Sequence, residues 1–117
     1  MRVLVCGGRS YFDREWIFHV LDHYHSSNAF TCLIHGAATG ADSIAAEWAW
    51  SRVPIEPYPA DWDRYGRGAG MRRNAQMLRE GKPNVVIAFP GGSGTLNMIL
   101  QSRRANLPVL EIPSRSG

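Results

Sequence analysis

The segment NVVIAFPGGSGTLNMIL, residues 84–100, decides the fold of this chain. After the leading Asn, residues 84–89 are apolar throughout, which is typical of a strand buried on both faces of a parallel sheet. Three glycines and a proline then lie within residues 90–94, and a helical pattern of apolar side chains follows over residues 94–105. A buried strand joined to a helix by a glycine-rich turn predicts an α/β fold, in which helices cover both faces of the sheet.

Short apolar runs alternate with amphipathic segments along the rest of the chain. Asp13 is placed to cap a first helix, and Thr39–Asp42 resembles a capping box at the start of the next helix. Further helices are predicted over residues 70–80 and 94–105, with a loop over residues 60–69. Strands are predicted over residues 2–6, 31–35, 53–59, 84–89 and 107–112.

Strands that alternate with helices in this way predict a Rossmann-like three-layer α/β/α sandwich with a five-stranded parallel sheet. Right-handed crossovers give the strand order 3-2-1-4-5. The third strand then lies at an edge, where the three prolines of residues 53–59 are tolerated. We expect residues 1–117 to form a single domain and residues 113–117 to be loosely held.

The composition is that of a globular chain with a small positive charge. The 117 residues are 44% hydrophobic and 20% charged, with a formal net charge of +3. No apolar stretch approaches the roughly 18 residues of a membrane span, and residues 1–10 do not form a signal peptide. We therefore predict no membrane association and a cytoplasmic location. Cys6 and Cys32 fall in neighbouring predicted strands and are expected to be reduced core residues, with a disulfide or redox pair as the less favoured alternative.

An arginine-rich tract covers residues 64–79, which contain five arginines and no acid. Such a tract predicts a patch that attracts anions or, alternatively, a solvated helix face. Glycines and aromatic side chains surround the arginines, which favours a binding surface.

Glycine-rich turns follow three of the predicted strands, at the sheet edge where α/β proteins bind ligands. They are Gly7-Gly8, GAATGAD (36–42) and PGGSGT (90–95). Glycine lets backbone N–H groups face a ligand, and a helix N-terminus adds free donors and partial positive charge. We therefore expect the amides of all three turns to converge on one phosphate or diphosphate. The predicted ligand-binding residues are Gly7, Gly8, Arg9, Gly36, Asp42, Trp62, Arg72, Arg73, Asn74, Pro90, Gly91, Gly92, Ser93, Gly94 and Thr95.

Several of these side chains have a structural alternative to ligand contact. Arg9 is placed either to bind a phosphate or to lie on the surface, and Arg73 with Asn74 either to contact the ligand or to form a structural pair. Trp62 is suited either to stacking on a base or to packing as a lid on the protein. The carboxylate of Asp42 either accepts hydrogen bonds from ribose hydroxyl groups or only caps its helix.

Four motifs together resemble the SLOG superfamily: CGGR (6–9), GAATGAD (36–42), AGMRRN (69–74) and PGGSGT (90–95). The tract ADWDRYGRGAGMRRNAQM (60–77) is similar to the small YspA-related (cpYpsA-related) SLOG domains of bacteria and phages. The superfamily also includes the Lonely Guy phosphoribohydrolases and the DNA-processing proteins. The resemblance implies a Rossmann-like fold that binds nucleotides or nucleotide-derived molecules.

The resemblance also implies candidate catalytic residues. In Lonely Guy enzymes the glycine loop holds the 5′-phosphate, and an Arg and a Glu support cleavage of the N-glycosidic bond. The Arg position falls on Arg73, whereas the two successive Glu positions fall on Asn97 and Met98. Arg73 and Asn97 are thus the candidate catalytic pair, although an amide cannot act as a base.

Three functions follow, in decreasing order of preference. The first is a module that binds or senses a nucleotide-like ligand. The second is an N-glycosidic-bond hydrolase acting on nucleoside monophosphates or ADP-ribose-like compounds. The third, a nucleic-acid-binding module, is the least favoured. No cofactor is predicted. A metal is not predicted either, because His19 and His23, four apart in the first helix, have no evident third ligand.

Self-association is also predicted from the apolar side chains. Trp48, Trp50 and the Met98 and Leu100 side of the last helix offer more apolar surface than one sheet face needs. We expect a homo-oligomer, either a dimer or a larger assembly.

Overall fold

Five parallel strands form the sheet of the computed structural model, which describes residues 1–115. Their order is β3-β2-β1-β4-β5, which confirms the predicted topology. The order reverses between β1 and β4, and this is where open α/β sheets bind ligands. The strands are β1 (Arg2–Cys6), β2 (Cys32–His35), β3 (Ile55–Pro57), β4 (Val85–Ala88) and β5 (Val109–Glu111).

Helices connect the strands and cover both faces of the sheet, as predicted. Within residues 1–115, no helix combines the length and the hydropathy that a membrane span requires. The α-helices are α1 (Arg14–Ser27), α2 (Ala41–Ala49), α3 (Trp62–Tyr65), α4 (Ala69–Gln76) and α5 (Ser93–Arg104), and α4 continues as a π-helical turn over Met77–Gly81.

The prediction of a loop over residues 60–69 was wrong, because α3 and a 3-10 turn at Gly66–Gly68 lie within it. Asp61 starts α3 by accepting a hydrogen bond from the amide of Arg64 at 3.1 Å. This local cap stabilises a helix of only four residues. Such a helix is too short to show a periodic pattern of apolar residues in the sequence.

Alternate side chains of the central strands point to opposite faces and build two separate cores. Val3 and Val5 pack with Trp48 on the side covered by α1 and α2. Leu4 packs with Met77 and Met98 on the side covered by α4 and α5. The strands are apolar throughout because both of their faces are buried.

The same packing corrects the predicted self-association surface. Trp48 is completely buried, and its indole N–H donates to Asp22 Oδ1 at 2.8 Å. Met98 is buried as well, so neither residue contributes surface. Trp50 and Leu100 do reach the surface, with 84% and 43% of their areas exposed.

The last described residues are fixed to α1 instead of being loose as predicted. The carbonyl of Pro113 accepts a hydrogen bond from the Trp16 indole at 3.0 Å. Arg115 forms ion pairs with Asp13 and Glu15 at the start of α1. Residues 116–117, which belong to the same predicted loose tail, lie outside the described residues.

Gly40 joins the turn after β2 to the turn after β1. The predicted capping box does not form, because Gly40 itself is the N-cap of α2 and no side chain caps the helix. Its φ of 74° and ψ of −128° are conformations that residues with a Cβ avoid. A Cβ at this position would also collide with the carbonyl oxygen of Gly8, which accepts the amide of Ala41 at 3.1 Å.

We expect Gly40→Ala to destabilise the protein by about 2–4 kcal/mol, because it adds backbone strain to a steric clash between two turns. Urea unfolding followed by circular dichroism measures the change. Gly68→Ala is the control, because Gly68 has φ −79° and no atom within 4 Å of an added Cβ. Equal unfolding midpoints for the two variants would contradict the structural role of Gly40.

Candidate functional site

A cavity of about 650 Å³ lies at the carboxyl ends of β1 and β4, where the strand order reverses. We call it the main cavity. Its walls come from the turns after β1, β2 and β4 and from α2, α3, α4 and α5. The lining residues are Cys6, Gly7, Gly8, Arg9, Ala38, Asp42, Trp62, Arg67, Gly70, Met71, Arg73, Asn74, Met77, Gly92, Ser93, Gly94, Thr95, Asn97 and Met98.

The N-terminus of α5 opens into the main cavity. Gly92 is the N-cap and no side chain caps the helix. The first intrahelical hydrogen bond runs from the amide of Leu96 to the carbonyl of Gly92. The amides of Ser93, Gly94 and Thr95 therefore have no acceptor within the helix and are donors with a partial positive charge. A Cβ added to Gly92 or Gly94 would meet no atom within 4 Å, so the space in front of these amides is open.

Pro90 and Gly91 hold the glycine-rich turn in place. The carbonyl of Pro90 accepts the amide of Gly8 at 2.8 Å. A Cβ at Gly91 would lie 2.7 Å from the amide nitrogen of Gly8 and would collide with Thr95 Oγ1. Glycine is therefore needed at position 91 for the turns after β1 and β4 to touch, while the residues that follow it face the cavity.

The turn after β2 does not face a ligand as predicted. The amides of Gly36 and Ala38 both donate to Asp42 Oδ2, at 3.0 and 3.3 Å. The expected convergence of amides from all three turns is therefore wrong for this turn, because a carboxylate of the protein already accepts its amides. It is also wrong for Gly8 in the turn after β1, whose amide donates to the carbonyl of Pro90. The alternative role of Asp42 as only a helix cap is also wrong, because its carboxylate binds the turn that precedes the helix.

Burial raises the pKa of Asp42 from its ordinary value of 3.8 to about 6. The two amide hydrogen bonds and the charges of Arg73 and Arg9 act in the opposite direction, but the loss of hydration is the larger effect. Asp42 is thus ionised at neutral pH at a cost in stability.

A polar network joins α4 to α5 along one wall of the main cavity. Arg73 Nε donates to Asn74 Oδ1 at 3.0 Å, and Arg73 Nη1 donates to the carbonyl of Gly36. The buried amide of Asn74 donates to Asn97 Oδ1 at 3.1 Å and to the carbonyl of Gly94 at 3.3 Å. Gln101 Nε2 also donates to Asn97 Oδ1, at 2.8 Å. The network fixes Arg73 and the N-terminus of α5 relative to each other.

Positive charge dominates the lining of the main cavity. Arg9, Arg67 and Arg73 face one carboxylate, that of Asp42. None of the ion pairs formed within residues 1–115 involves these three arginines. Burial lowers the pKa of Arg73, with the neighbouring charge of Arg9 acting in the same direction. An anion in the cavity would relieve both effects.

Arg9 and Trp62 stack on each other at the edge of the main cavity. The guanidinium carbon of Arg9 lies 4.8 Å from the centre of the Trp62 ring. Such a contact between exposed side chains contributes about 0.5–1 kcal/mol, so it is readily exchanged for a stronger partner.

Beyond this stacked pair lies a second space of about 310 Å³, which we call the side cavity. It is bounded by the turn after β2 and by the segment between β3 and α3. Gly36, one of the predicted ligand-binding residues, opens onto this cavity and not onto the main one. The lining residues are Arg9, Gly36, Ala37, Ala38, Thr39, Pro59, Ala60, Trp62 and Arg73.

A third space of about 400 Å³, the outer cavity, lies across the glycine-rich turn, towards β5. Pro90 and Gly91 line this cavity and are absent from the lining of the main one. Its lining residues are Ala88, Phe89, Pro90, Gly91, Gly92, Ser93, Thr95, Leu96, Ile99, Glu111 and Ile112.

Arg72 is the one predicted ligand-binding residue that lies outside these cavities. Its guanidinium stacks over the Tyr65 ring at 4.3 Å, and it lines none of the three cavities. Arg73, the next residue along α4, points into the main cavity instead, because neighbours on a helix point about 100° apart.

The main cavity also contains residues that the sequence reasoning missed. Arg67 was visible in the arginine-rich tract but was not selected. Cys6, Ala38, Gly70 and Met71 lie within the quoted motifs but were not selected either. Met77 was not selected because an apolar residue in a helix is typical of a core, and Met98 was assigned to the association surface instead.

Comparisons with known proteins agree with this fold. A model of the family described as YspA, cpYpsA-related SLOG family matches residues 1–65, which is more than half of the chain. The chain therefore belongs to the YspA, cpYpsA-related SLOG family.

A curated relative and a solved structure extend the comparison over more than nine-tenths of the chain. The chain is 38% identical to the Gene 61 protein of Mycobacterium phage D29 over 118 aligned residues, covering 93% of this chain and 94% of that protein. DNA processing protein A from Helicobacter pylori, a structure described for its single-stranded DNA binding mode, matches with a TM-score of 0.74 at 16% identity. That match covers 98% of this chain and 66% of the other, and it shows a shared fold.

We expect Asp42→Asn to stabilise the protein at pH 7.5 by about 1–3 kcal/mol. The variant keeps an oxygen that accepts both amides, and it removes a charge whose burial raises the pKa to about 6. Because the folded pKa lies above the unfolded one, the carboxyl of the natural protein adds stability that is present below about pH 4 and lost as the pH rises through 6. The gain in the variant should therefore shrink as the pH falls from 7.5 to 4.

Chemical unfolding over this pH range measures the difference between the natural protein and the variant. Asp63→Asn, which alters an exposed carboxylate on α3, is the matched control. Parallel pH profiles for the natural protein and Asp42→Asn would show that burial of this carboxylate has no cost.

Proposed function

We propose that this protein binds a nucleotide or nucleotide-derived ligand in the main cavity, and that it acts as a sensing or binding module in nucleotide signalling. The ligand phosphate lies against the amides of Ser93, Gly94 and Thr95. The observation that carries this proposal is the uncapped N-terminus of α5, which opens into a cavity of about 650 Å³.

Charge and membership of the SLOG family support this assignment. Arg9, Arg67 and Arg73 line the same cavity without an ion pair among the described residues, and an anion would neutralise them. The cavity volume falls in the range of about 300–1,000 Å³ that small-molecule sites occupy, and its lining is partly apolar, as the sugar and base of a nucleotide require.

The polar groups of the main cavity favour binding over hydrolysis of a glycosidic bond. Asp42 is the one carboxylate in its lining, and Oδ2 of that group already accepts two amides. Asn97 Oδ1 accepts from Asn74 and Gln101 and cannot take up a proton as a base. Hydrolysis of nucleoside monophosphates or ADP-ribose-like compounds remains the alternative, and free base released from AMP is its readout.

We expect Gly94→Glu to reduce AMP binding at least about tenfold, because its carboxylate lies beside the phosphate position. The fold should be unaffected or slightly stabilised, since an acid in the first turn of a helix is favourable and glycine is a poor helix former. Isothermal titration calorimetry measures the affinity, and thermal unfolding measures the stability.

Ser51→Glu is the control for net charge. Ser51 is exposed and follows the C-terminus of α2, whereas the N-terminal part of α2 lines the main cavity. Adenosine, which lacks the phosphate, should bind the natural protein much more weakly than AMP. Equal AMP affinity in Gly94→Glu and Ser51→Glu would show that the phosphate of AMP does not bind at the N-terminus of α5.

A second candidate function is contact with a single nucleic-acid strand, and an exposed cluster beside the main cavity favours it. Arg64 and Arg72 lie over the Tyr65 ring at 5.0 and 4.3 Å, and all three side chains are exposed. Arginines and aromatic rings in this arrangement suit phosphates and unstacked bases. The single-stranded DNA binding described for DNA processing protein A makes this candidate worth testing in a chain of the same fold.

Under this second candidate, replacing Arg64 and Arg72 together by Ala should abolish binding of a labelled oligothymidine and leave AMP affinity unchanged. Binding to the natural protein should also weaken steeply between about 50 and 200 mM salt, because several phosphates are neutralised. Fluorescence polarisation measures both effects, with the exposed Arg103 and Arg104 on α5 replaced by Ala as the control. Oligothymidine binding that is insensitive to salt and to both variants would contradict the candidate.

Self-association and a cytoplasmic location stay predictions. The exposed apolar residues Met71, Leu96 and Leu100 on α4 and α5 support a homo-oligomer, in place of the buried Trp48 and Met98.

A further inference from the structure

The side cavity is separated from the main cavity by the stacked side chains of Arg9 and Trp62. Both residues line both cavities, as do Ala38 and Arg73. The side chains of Arg9 and Trp62 form part of this partition, and both residues are exposed.

We propose that the side cavity is a second subsite, which holds the distal sugar or base of a diphosphate-linked ligand. This inference rests on the proposed function and goes beyond it, because it names the ligand class. The ligand is a nucleoside diphosphate that carries a second ribosyl or nucleoside group, and it spans both cavities.

The volumes support a ligand with two parts. The main cavity, at about 650 Å³, already has room for one nucleotide, and the side cavity adds about 310 Å³ along the same sheet edge. Ala38 and Ala60 keep the side cavity open because their side chains are small. Gly36 leaves room for the guanidinium of Arg73, with which a Cβ at this position would collide. Trp62 offers a flat apolar face to a sugar or base that enters it.

The charge of Arg9 explains how a ligand could open the partition between the main cavity and the side cavity. Arg9 has no ion-pair partner among the described residues and touches the Trp62 ring only through a stacking contact. A diphosphate between the cavities offers Arg9 a stronger, charge-assisted partner. Arg9 then moves from the Trp62 ring to the phosphate, which frees the ring for the distal group.

The outer cavity is a poorer subsite for this ligand. Its charged residue is Glu111, an acid, and no arginine lines it. The backbone of the glycine-rich turn separates it from the main cavity, and backbone held by the Gly8–Pro90 hydrogen bond cannot swing aside as a side chain can.

Calorimetric titrations with AMP, ADP and ADP-ribose test the proposal. In the natural protein ADP-ribose should bind about tenfold more tightly than ADP. Ala60→Phe fills the side cavity, so ADP-ribose should fall to the affinity of ADP while AMP binding stays unchanged. Leu96→Trp fills the outer cavity and should leave the tenfold preference intact. Pro59→Phe is a second filling variant in case Ala60→Phe does not fold.

The outcomes separate this proposal from the proposed function. If AMP binds but ADP-ribose binds no better than ADP, the second subsite is wrong and the nucleotide site stands. If Ala60→Phe or Pro59→Phe weakens AMP as much as ADP-ribose, the side cavity belongs to the mononucleotide site. If Leu96→Trp removes the preference, the distal group lies in the outer cavity. If none of the three compounds binds, the proposed function fails and the subsite with it.

Discussion

The contact between the turns after β1 and β4 is the constraint on which the site depends. The amide of Gly8 donates to the carbonyl of Pro90, and Gly91 has no Cβ to hold the two turns apart. This contact holds the start of the glycine-rich turn. The chain then enters α5 at Ser93, with Gly92 as the N-cap and no side chain capping the helix. Free amides at a helix N-terminus would otherwise be satisfied by Ser, Thr, Asp or Asn at the N-cap. The sequence places Gly there, so the donors stay available to a ligand.

The sheet could be predicted from the sequence because its signals are local. Each strand is a short apolar run bounded by turn residues, and a central strand buried on both faces has no polar alternation. The predicted order followed from right-handed crossovers, which hold for almost all parallel connections. The failures arose where the deciding contact is distant in sequence or too short to show a period. Asp61 alone starts α3, and the burial of Trp48 and Met98 depends on which helix face meets which core.

The candidate site was harder to predict for the same reason. Glycine-rich turns after strands pointed to the sheet edge where the main cavity lies, but not to which amides are free. Asp42 takes the amides of the turn after β2, and only the folded chain brings its carboxylate to Gly36 and Ala38. Arg72 and Arg73 are identical neighbours in the sequence, but they point in different directions from α4. Arg72 stacks on Tyr65 at the surface, whereas Arg73 lines the main cavity.

The carboxylate of Asp42 also limits what the site accepts. The carboxylate occupies the position in the turn after β2 where an anionic ligand was expected. The amides of Gly36 and Ala38 are therefore not free to bind a second phosphate. The charge of Asp42 lies close enough to Arg73 and Arg9 to offset part of theirs, although burial still keeps its pKa high. The remaining positive charge is concentrated between Arg9, Arg67 and the N-terminus of α5. A site with one uncapped helix end and few free arginines is matched to one or two phosphate groups in a defined place. A longer polyphosphate that came near Asp42 would be repelled by its charge, so this carboxylate favours a ligand whose further parts are neutral.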